Sequence, residues 1–213
     1  MMYHKIPTIY KRDPDNNFKT LLHGQYVTDE LAYLQNAQWV FTEKVDGTNI
    51  RVAWGGCSKR VVFGGKTDNA QLHSGLVHHL SQVFTTDKLD KQFGDTVVTL
   101  YGEGFGAKIH SGGKYRPDQG FVLFDVRVDG WWLKREDVED IAVSLGTDVV
   151  PVVGRGTLPE MVEIARAGFN SHWGLFIAEG IVARPAVELF DGGGRRIITK
   201  VKHKDFAAKE EMK

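Results

Sequence analysis

Short runs of β-branched and aromatic residues, each bounded by Gly, Asp or Asn, constrain this chain more than any other feature. They are Trp39-Val40-Phe41-Thr42, Asn49 to Trp54, Arg60 to Phe63, Thr96 to Tyr101, Phe121 to Val126, Ile181 to Arg184 and Arg196 to Val201. Such runs read as strands. Asp46-Gly47 and Asp129-Gly130 read as turns, and Asp191-Gly192-Gly193-Gly194 as the loop of a hairpin. Helices are expected irregularly between them. Thr28 can N-cap a segment carrying Leu31 and Leu34, and residues 69–84 put Leu72, Leu76, Leu80 and Val83/Phe84 on one stripe. Lys134 to Leu145 ends at Gly146. Thr157-Leu158-Pro159-Glu160 is a capping box with proline in the first turn, and Gly168 closes that helix. Runs of strands with irregularly inserted helices predict an α+β fold built on antiparallel sheets.

No linker-like stretch interrupts the 213 residues, so the expectation is a single domain over 1–213. The lone Cys57 excludes a disulfide framework and a four-cysteine zinc site, and the eight histidines lack metal-like spacing. No stretch approaches the ~18 consecutive apolar residues of a membrane span, and Met1-Met2-Tyr3-His4-Lys5 opens no apolar signal segment. The expectation is a cytoplasmic protein with no membrane partner. Lys+Arg and Asp+Glu both number 27, which argues against coating nucleic acid by bulk attraction. The charges are segregated, however. From Arg195 to Lys204 there are five Lys or Arg and no acid, while carboxylates cluster at Glu136-Asp137-Glu139-Asp140. That pattern predicts modest, salt-sensitive nucleic-acid affinity.

The most informative segment is Glu43-Lys44-Val45-Asp46-Gly47-Thr48-Asn49. It predicts a lysine at a strand end, a tight turn, and a second strand returning Asn49 and Arg51 along the first. A lysine so placed can act as a nucleophile once it sheds its proton. Four later segments follow in order. Tyr101-Gly102-Glu103-Gly104-Phe105-Gly106 sets a carboxylate between glycines, and Phe121 to Val126 offers an aromatic face. Glu179-Gly180-Ile181-Val182 repeats the strand-edge carboxylate, and Thr199-Lys200-Val201-Lys202 puts two lysines on one strand face.

Lysine followed by these four resembles motifs I, III, IIIa, IV and V of the covalent nucleotidyltransferase superfamily of polynucleotide ligases and capping enzymes. The set reaches from residue 44 to 202, about three quarters of the chain. Lys44-Val45-Asp46-Gly47-Thr48-Asn49 is similar to the Lys-x-x-Gly-Thr-Asn of RNA ligases of the phage RNA ligase 2 and RNA-editing type. Gly64-Gly65-Lys66-Thr67-Asp68 resembles their Gly-Arg-Thr-Asp segment, with Lys66 standing where arginine is usual. Lysine keeps the charge there and loses the bidentate fork.

The resemblance implies a nucleotidyltransferase (adenylation) domain of two antiparallel β-sheets with flanking helices and a nucleotide cleft between them. It implies an ATP-dependent RNA ligase joining 5′-phosphate and 3′-hydroxyl RNA ends, or a nicked duplex, through lysyl-AMP, as in RNA repair. Lys44 would be the nucleophile, with Lys200 and Lys202 as cations over the α-phosphate. Glu103 would bond the ribose hydroxyls, Phe124 would stack on adenine (Phe121 is the alternative ring), and Glu179 and Lys66 would complete the nucleotide set. Asp46, Glu103 and Glu179 would hold Mg²⁺ (or Mn²⁺), largely through water. Asn49 and Arg184 would contact the nucleic-acid end. The loop 108–116 sets Lys108, Lys114 and Arg116 among glycines and Tyr115, a pattern suited to phosphate-backbone contact or to a solvated loop. Only residues 203–213 follow motif V, so no oligonucleotide-binding barrel is expected after it. The pattern suggests a phage or bacterial source. The alternatives are an ATP-dependent DNA or nick-sealing ligase, and a non-catalytic nucleotide- or nucleic-acid-binding module of the same fold.

Overall fold

The computed structural model describes residues 2–207. In chain order the first strands are β1 (Tyr10–Arg12), β2 (Leu21–Tyr26), β3 (Trp39–Lys44), β4 (Thr48–Gly55), β5 (Val61–Gly64) and β6 (Val97–Gly106). They are followed by β7 (Gln119–Val128), β8 (Trp131–Trp132), β9 (Asp148–Val149), β10 (Val152–Gly156), β11 (Gly180–Pro185) and β12 (Thr199–Lys202). The helices are α1 (Asp29–Tyr33), α2 (Ser74–Val83), α3 (Thr86–Phe93), α4 (Arg135–Leu145), α5 (Leu158–Ala167) and α6 (Lys204–Ala207). The chain divides into two compact units. One holds residues 46–150 with the N-terminal residues through His4, and the other holds residues 5–45 with those from Pro151 onward.

The first unit is built on a sheet of order β5-β4-β6-β7-β8, antiparallel throughout, with β9 added to β7 in parallel. Alternation sends Ile50, Val52 and Trp54 of β4 to one face, where they meet Leu76 and Leu80 of α2 and Val138, Ala142 and Leu145 of α4. The second unit has a four-stranded antiparallel sheet, β10-β3-β11-β12, and a small β1-β2 pair. Trp39, Phe41, Ile181, Ala183 and Val201 form its core with Leu158, Met161, Val162 and Ala165 of α5. Full burial of one such large apolar side chain contributes about 2–3 kcal/mol.

The helix signals act as read. The Thr28 hydroxyl accepts from the Leu31 N–H at 3.4 Å, and Gly146 closes α4 in the left-handed region. Thr157 and Glu160 form both bonds of the capping box. Asp129 and Gly130 adopt φ of 46° and 92°, the double positive φ of a two-residue hairpin turn between β7 and β8.

Two expectations are corrected. The helix expected over 69–84 starts at Ser74, where His73 caps it by accepting from Gly75. Leu72 still packs on the core from outside the helix, which is why the stripe seemed longer. The loop read at Asp191 to Gly194 does join a hairpin, since β11 and β12 on either side of it pair antiparallel and the Phe190–Arg196 bridge closes the turn itself. Most consequentially, β4 does not return along β3. Asp46 and Gly47 carry the chain into the other sheet, where β4 pairs with β6 from Thr48–Gly104 to Gly55–Val97. Gly47 permits this by close approach, since a Cβ there would sit 2.3 Å from the Gly104 carbonyl oxygen.

Candidate active site

In the second unit, β3 puts Trp39, Phe41 and Glu43 on the core face and Val40, Thr42 and Lys44 on the other. Register extends that second face across the sheet. Lys44 lies opposite Gly180, which lies opposite Lys202. Thr42, Val182 and Lys200 form the next row, and Arg184 stands opposite Val40. Thr199 and Val201 turn into the interior, leaving Lys200 and Lys202 half-buried beside Lys44. Lys44, Lys200, Lys202 and Arg184 therefore share one face of one sheet.

Glu179, immediately before β11, links two of these cations. Its Oε1 accepts from Lys202 Nζ at 2.6 Å and its Oε2 accepts from Lys44 Nζ. The three side chains are only 12–24% exposed, so their charges interact more strongly than surface charges do. Gly180 makes the row possible, because a Cβ there would meet the Val201 carbonyl oxygen at 2.1 Å. This arrangement can present an amine as nucleophile with a second cation ready for phosphate charge.

In the first unit, Gly102 and Gly104 pair with Leu123 and Phe121 on the core face, so Tyr101 and Glu103 occupy the opposite face. Asn49, Glu103 and Val122 form one row there and Arg51, Tyr101 and Asp125 the next. Burial pushes the Tyr101 hydroxyl's pKa up. Phe124 is the unpaired residue of a β-bulge in β7, half-buried, its ring edge-on to that of Tyr3 at 5.1 Å. Phe121 is 2% exposed and packs against Phe84 within the core. The Asp46 backbone N–H donates to the Tyr115 hydroxyl at 3.2 Å. Asn49 Oδ1 is buried without a hydrogen-bond partner, an acceptor that a ligand's donor can satisfy.

Lys66 is exposed, in a segment held by Arg51, whose guanidinium donates to the Gly65 carbonyl and to Asp68, both at 2.8 Å. Lys108 and Lys114 are exposed on the loop after β6, with Lys114 over the Tyr115 ring at 5.4 Å. Arg116 is already paired, donating to both Asp118 oxygens at 2.6 and 2.9 Å. The Arg116 guanidinium holds the Asp118 carboxyl below the usual carboxylate range.

Asp46 and Glu103 belong to the first unit and Glu179 to the second. Among the described residues, no group of three or more His, Cys, Asp or Glu gathers into a metal cage. The donor chemistry fits an ion such as Mg²⁺, which keeps its waters and takes one or two carboxylates beside substrate phosphates.

Sequence reasoning missed Glu43, which the structure buries next to Lys44, and the Tyr115 hydroxyl behind Asp46. Strict alternation along Trp39-Val40-Phe41-Thr42-Glu43-Lys44 was the available signal for the first. A glutamate in phase with Trp39 and Phe41 must enter the core face.

The sequence model of the family described as RNA ligase matches residues 37–202, and the chain belongs to that family. No curated protein matches the chain. Among solved structures, the fold is similar to Naegleria gruberi RNA ligase with PPi, at TM-score 0.69 and 14% identity over 100% of this chain and 59% of that one. A mutant of that ligase with ATP and Mn gives 0.68 and 14% over 97% and 58%, and a mutant with AMP and Mn gives 0.68 and 14% over 97% and 58%. The chain thus spans less than two thirds of the length of these structures, and the likeness is one of fold.

Proposed function

We propose that the chain is an ATP-dependent RNA ligase that joins 5′-phosphate and 3′-hydroxyl RNA ends through lysyl-AMP and an RNA-adenylate. One observation carries this reading within the family: Lys44 ends β3 with its amine on the Glu179 carboxylate that Lys202 also holds. The Naegleria ligase structures with ATP and Mn, AMP and Mn, and PPi support it by likeness of fold.

In the first step the Lys44 amine, having lost a proton, attacks the α-phosphorus of ATP. An N–P bond forms, and the bond to the bridging oxygen breaks as pyrophosphate leaves with its electron pair. Lys202 and Lys200, on the same face, stabilise the charge that develops on the phosphoryl oxygens. In the second step a 5′-phosphate oxygen attacks the same phosphorus, and the N–P bond breaks as lysine regains a proton. In the third a 3′-hydroxyl attacks the activated 5′-phosphorus and AMP departs. Glu103 serves the ribose hydroxyls, Phe124 the adenine face and Lys66 the bound nucleotide, while Asn49 and Arg184 contact the RNA end. A bound Mg²⁺ or Mn²⁺, held by Asp46, Glu103 and Glu179 in part through water, would neutralise phosphate charge.

Incubation with ATP labelled at the α-phosphate, with Mg²⁺, tests the first step. An acid-stable protein label absent from Lys44→Ala is expected, and a label that survives the substitution overturns the reading. Matched RNA and DNA ends then test the substrate, and strict use of DNA 3′-hydroxyl ends overturns the RNA assignment.

A further inference from the structure

The residue just before the nucleophile is buried and charged. Glu43 is 1% exposed, on the core face of β3, and among the described residues it has no cationic partner. Its carboxylate is satisfied by one loop. Oε1 accepts from the Ser171 hydroxyl at 2.6 Å and Oε2 from the His172 backbone N–H at 2.8 Å. The Ser171 oxygen in turn accepts from the Trp173 N–H at 3.2 Å. A buried carboxylate carries a large desolvation cost unless such donors are fixed in place, so the loop and the carboxylate hold each other.

That loop leads to Glu179. The Ser171 N–H donates to the Phe176 carbonyl at 2.8 Å and the Ala178 N–H to the Phe169 carbonyl at 2.9 Å, closing residues 169–178 on themselves. The next residue is Glu179, whose carbonyl accepts from the His203 N–H and whose carboxylate receives Lys44 and Lys202. The chain therefore makes a ring. Lys44 touches Glu179 on one sheet face, while Glu43, its neighbour, ties down on the other face the loop that delivers Glu179.

We propose that Glu43 is a positioning residue, which fixes the 170–178 loop through Ser171 and His172 and so sets the Glu179 carboxylate against Lys44. Glu43→Gln keeps the shape but retains only one acceptor oxygen. Its amide N–H₂ then faces the Ser171 hydroxyl, which must turn from donating to accepting and takes a neutral hydrogen bond in place of a charge-assisted one. Ser171→Ala removes one tie and leaves the charge, and Ser171→Thr restores the hydroxyl.

Zero-length carbodiimide cross-linking of the intact chain, mapped by mass spectrometry, reads the Lys44–Glu179 contact without requiring activity. The Lys59–Asp90 pair at 2.6 Å, in the other unit, is the internal reference. Glu43→Gln and Ser171→Ala are expected to lower the Lys44–Glu179 yield several-fold, Ser171→Thr to restore it, and the Lys59–Asp90 yield to stay constant. Amide exchange over 170–178 should rise in the same two variants. Wild-type Lys44–Glu179 yield in both variants overturns the proposal, as does an equal fall in the reference, which marks general loss of structure. A second arm rests on the proposed ligase reaction. There Glu43→Gln should slow single-turnover adenylation at least tenfold with KM for ATP unchanged, and an effect on KM alone overturns positioning. If the wild-type chain forms no adenylate, the ligase reading fails and the cross-link still decides the role of Glu43.

Discussion

Lys44 and Lys202 occupy one cross-strand row on either side of Gly180, and each donates to a different oxygen of the Glu179 carboxylate. The pairing gives each carboxylate oxygen one ammonium donor and holds two like charges together. It joins the strand order of the sheet to the proposed chemistry, because the residues meet through register and not through sequence proximity.

Glu179→Ala should therefore act on both stability and reaction. Two part-buried ammonium groups lose their shared acceptor, which costs about 1–3 kcal/mol. Urea denaturation reads that loss. Covalent labelling from ATP is expected to fall at least tenfold in the same variant, and a stable variant with full labelling contradicts the role given to the carboxylate.

Gly47→Ala should destabilise the chain by about 1–3 kcal/mol through overpacking against the Gly104 carbonyl. The affected turn separates Lys44 from Asn49, so the adenylation rate should drop along with the denaturation midpoint. An unchanged midpoint argues against the close approach.

At the start of α5, the Thr157 backbone N–H and hydroxyl hold the Glu160 carboxyl below the ordinary range. A depressed folded value means this stability is present above the unfolded carboxyl's range and is lost as pH falls through the folded one. Glu160→Gln should flatten the acid limb of a stability–pH curve and leave the alkaline limb unchanged. Thr157→Ala should cost about 1 kcal/mol at neutral pH. Thermal melts across a pH series check both.

Arg116 is engaged by Asp118. Asp118→Asn should release the guanidinium, tighten RNA binding at low salt, and steepen the dependence of log K on log salt by about 0.7–0.9. Fluorescence anisotropy at several salt concentrations measures the slope. An unchanged slope removes Arg116 from the RNA-contacting set.

Much of the fold was legible because local chemistry dictates it. Thr157-Leu158-Pro159-Glu160 and Gly146 act at short range, and the structure places both helix ends where those residues require. The lysine spacing of β12 also needed only the two-residue period of a strand. Partner choice was not legible. Asp46-Gly47 reads equally as a hairpin turn or as a passage between sheets, and the Gly104 carbonyl, 57 residues away, decides which. The α3 helix and the β1–β2 pair were missed for a related reason. Thr86–Phe93 shows one fully buried residue, Leu89, and β2 buries only Leu21, so neither carries a full apolar period.

The row through Gly180 also fixes a length requirement. Neighbouring strands lie about 4.8 Å apart, so the backbones of Lys44 and Lys202 are separated by about 10 Å, with an empty lane between them. Their nitrogens converge on a single carboxylate only because each side chain is long enough to lean inward over that lane. Reach, as much as charge, is then what the two positions demand. A shortened cation such as ornithine at position 202 would carry the same charge and fall short of the meeting point.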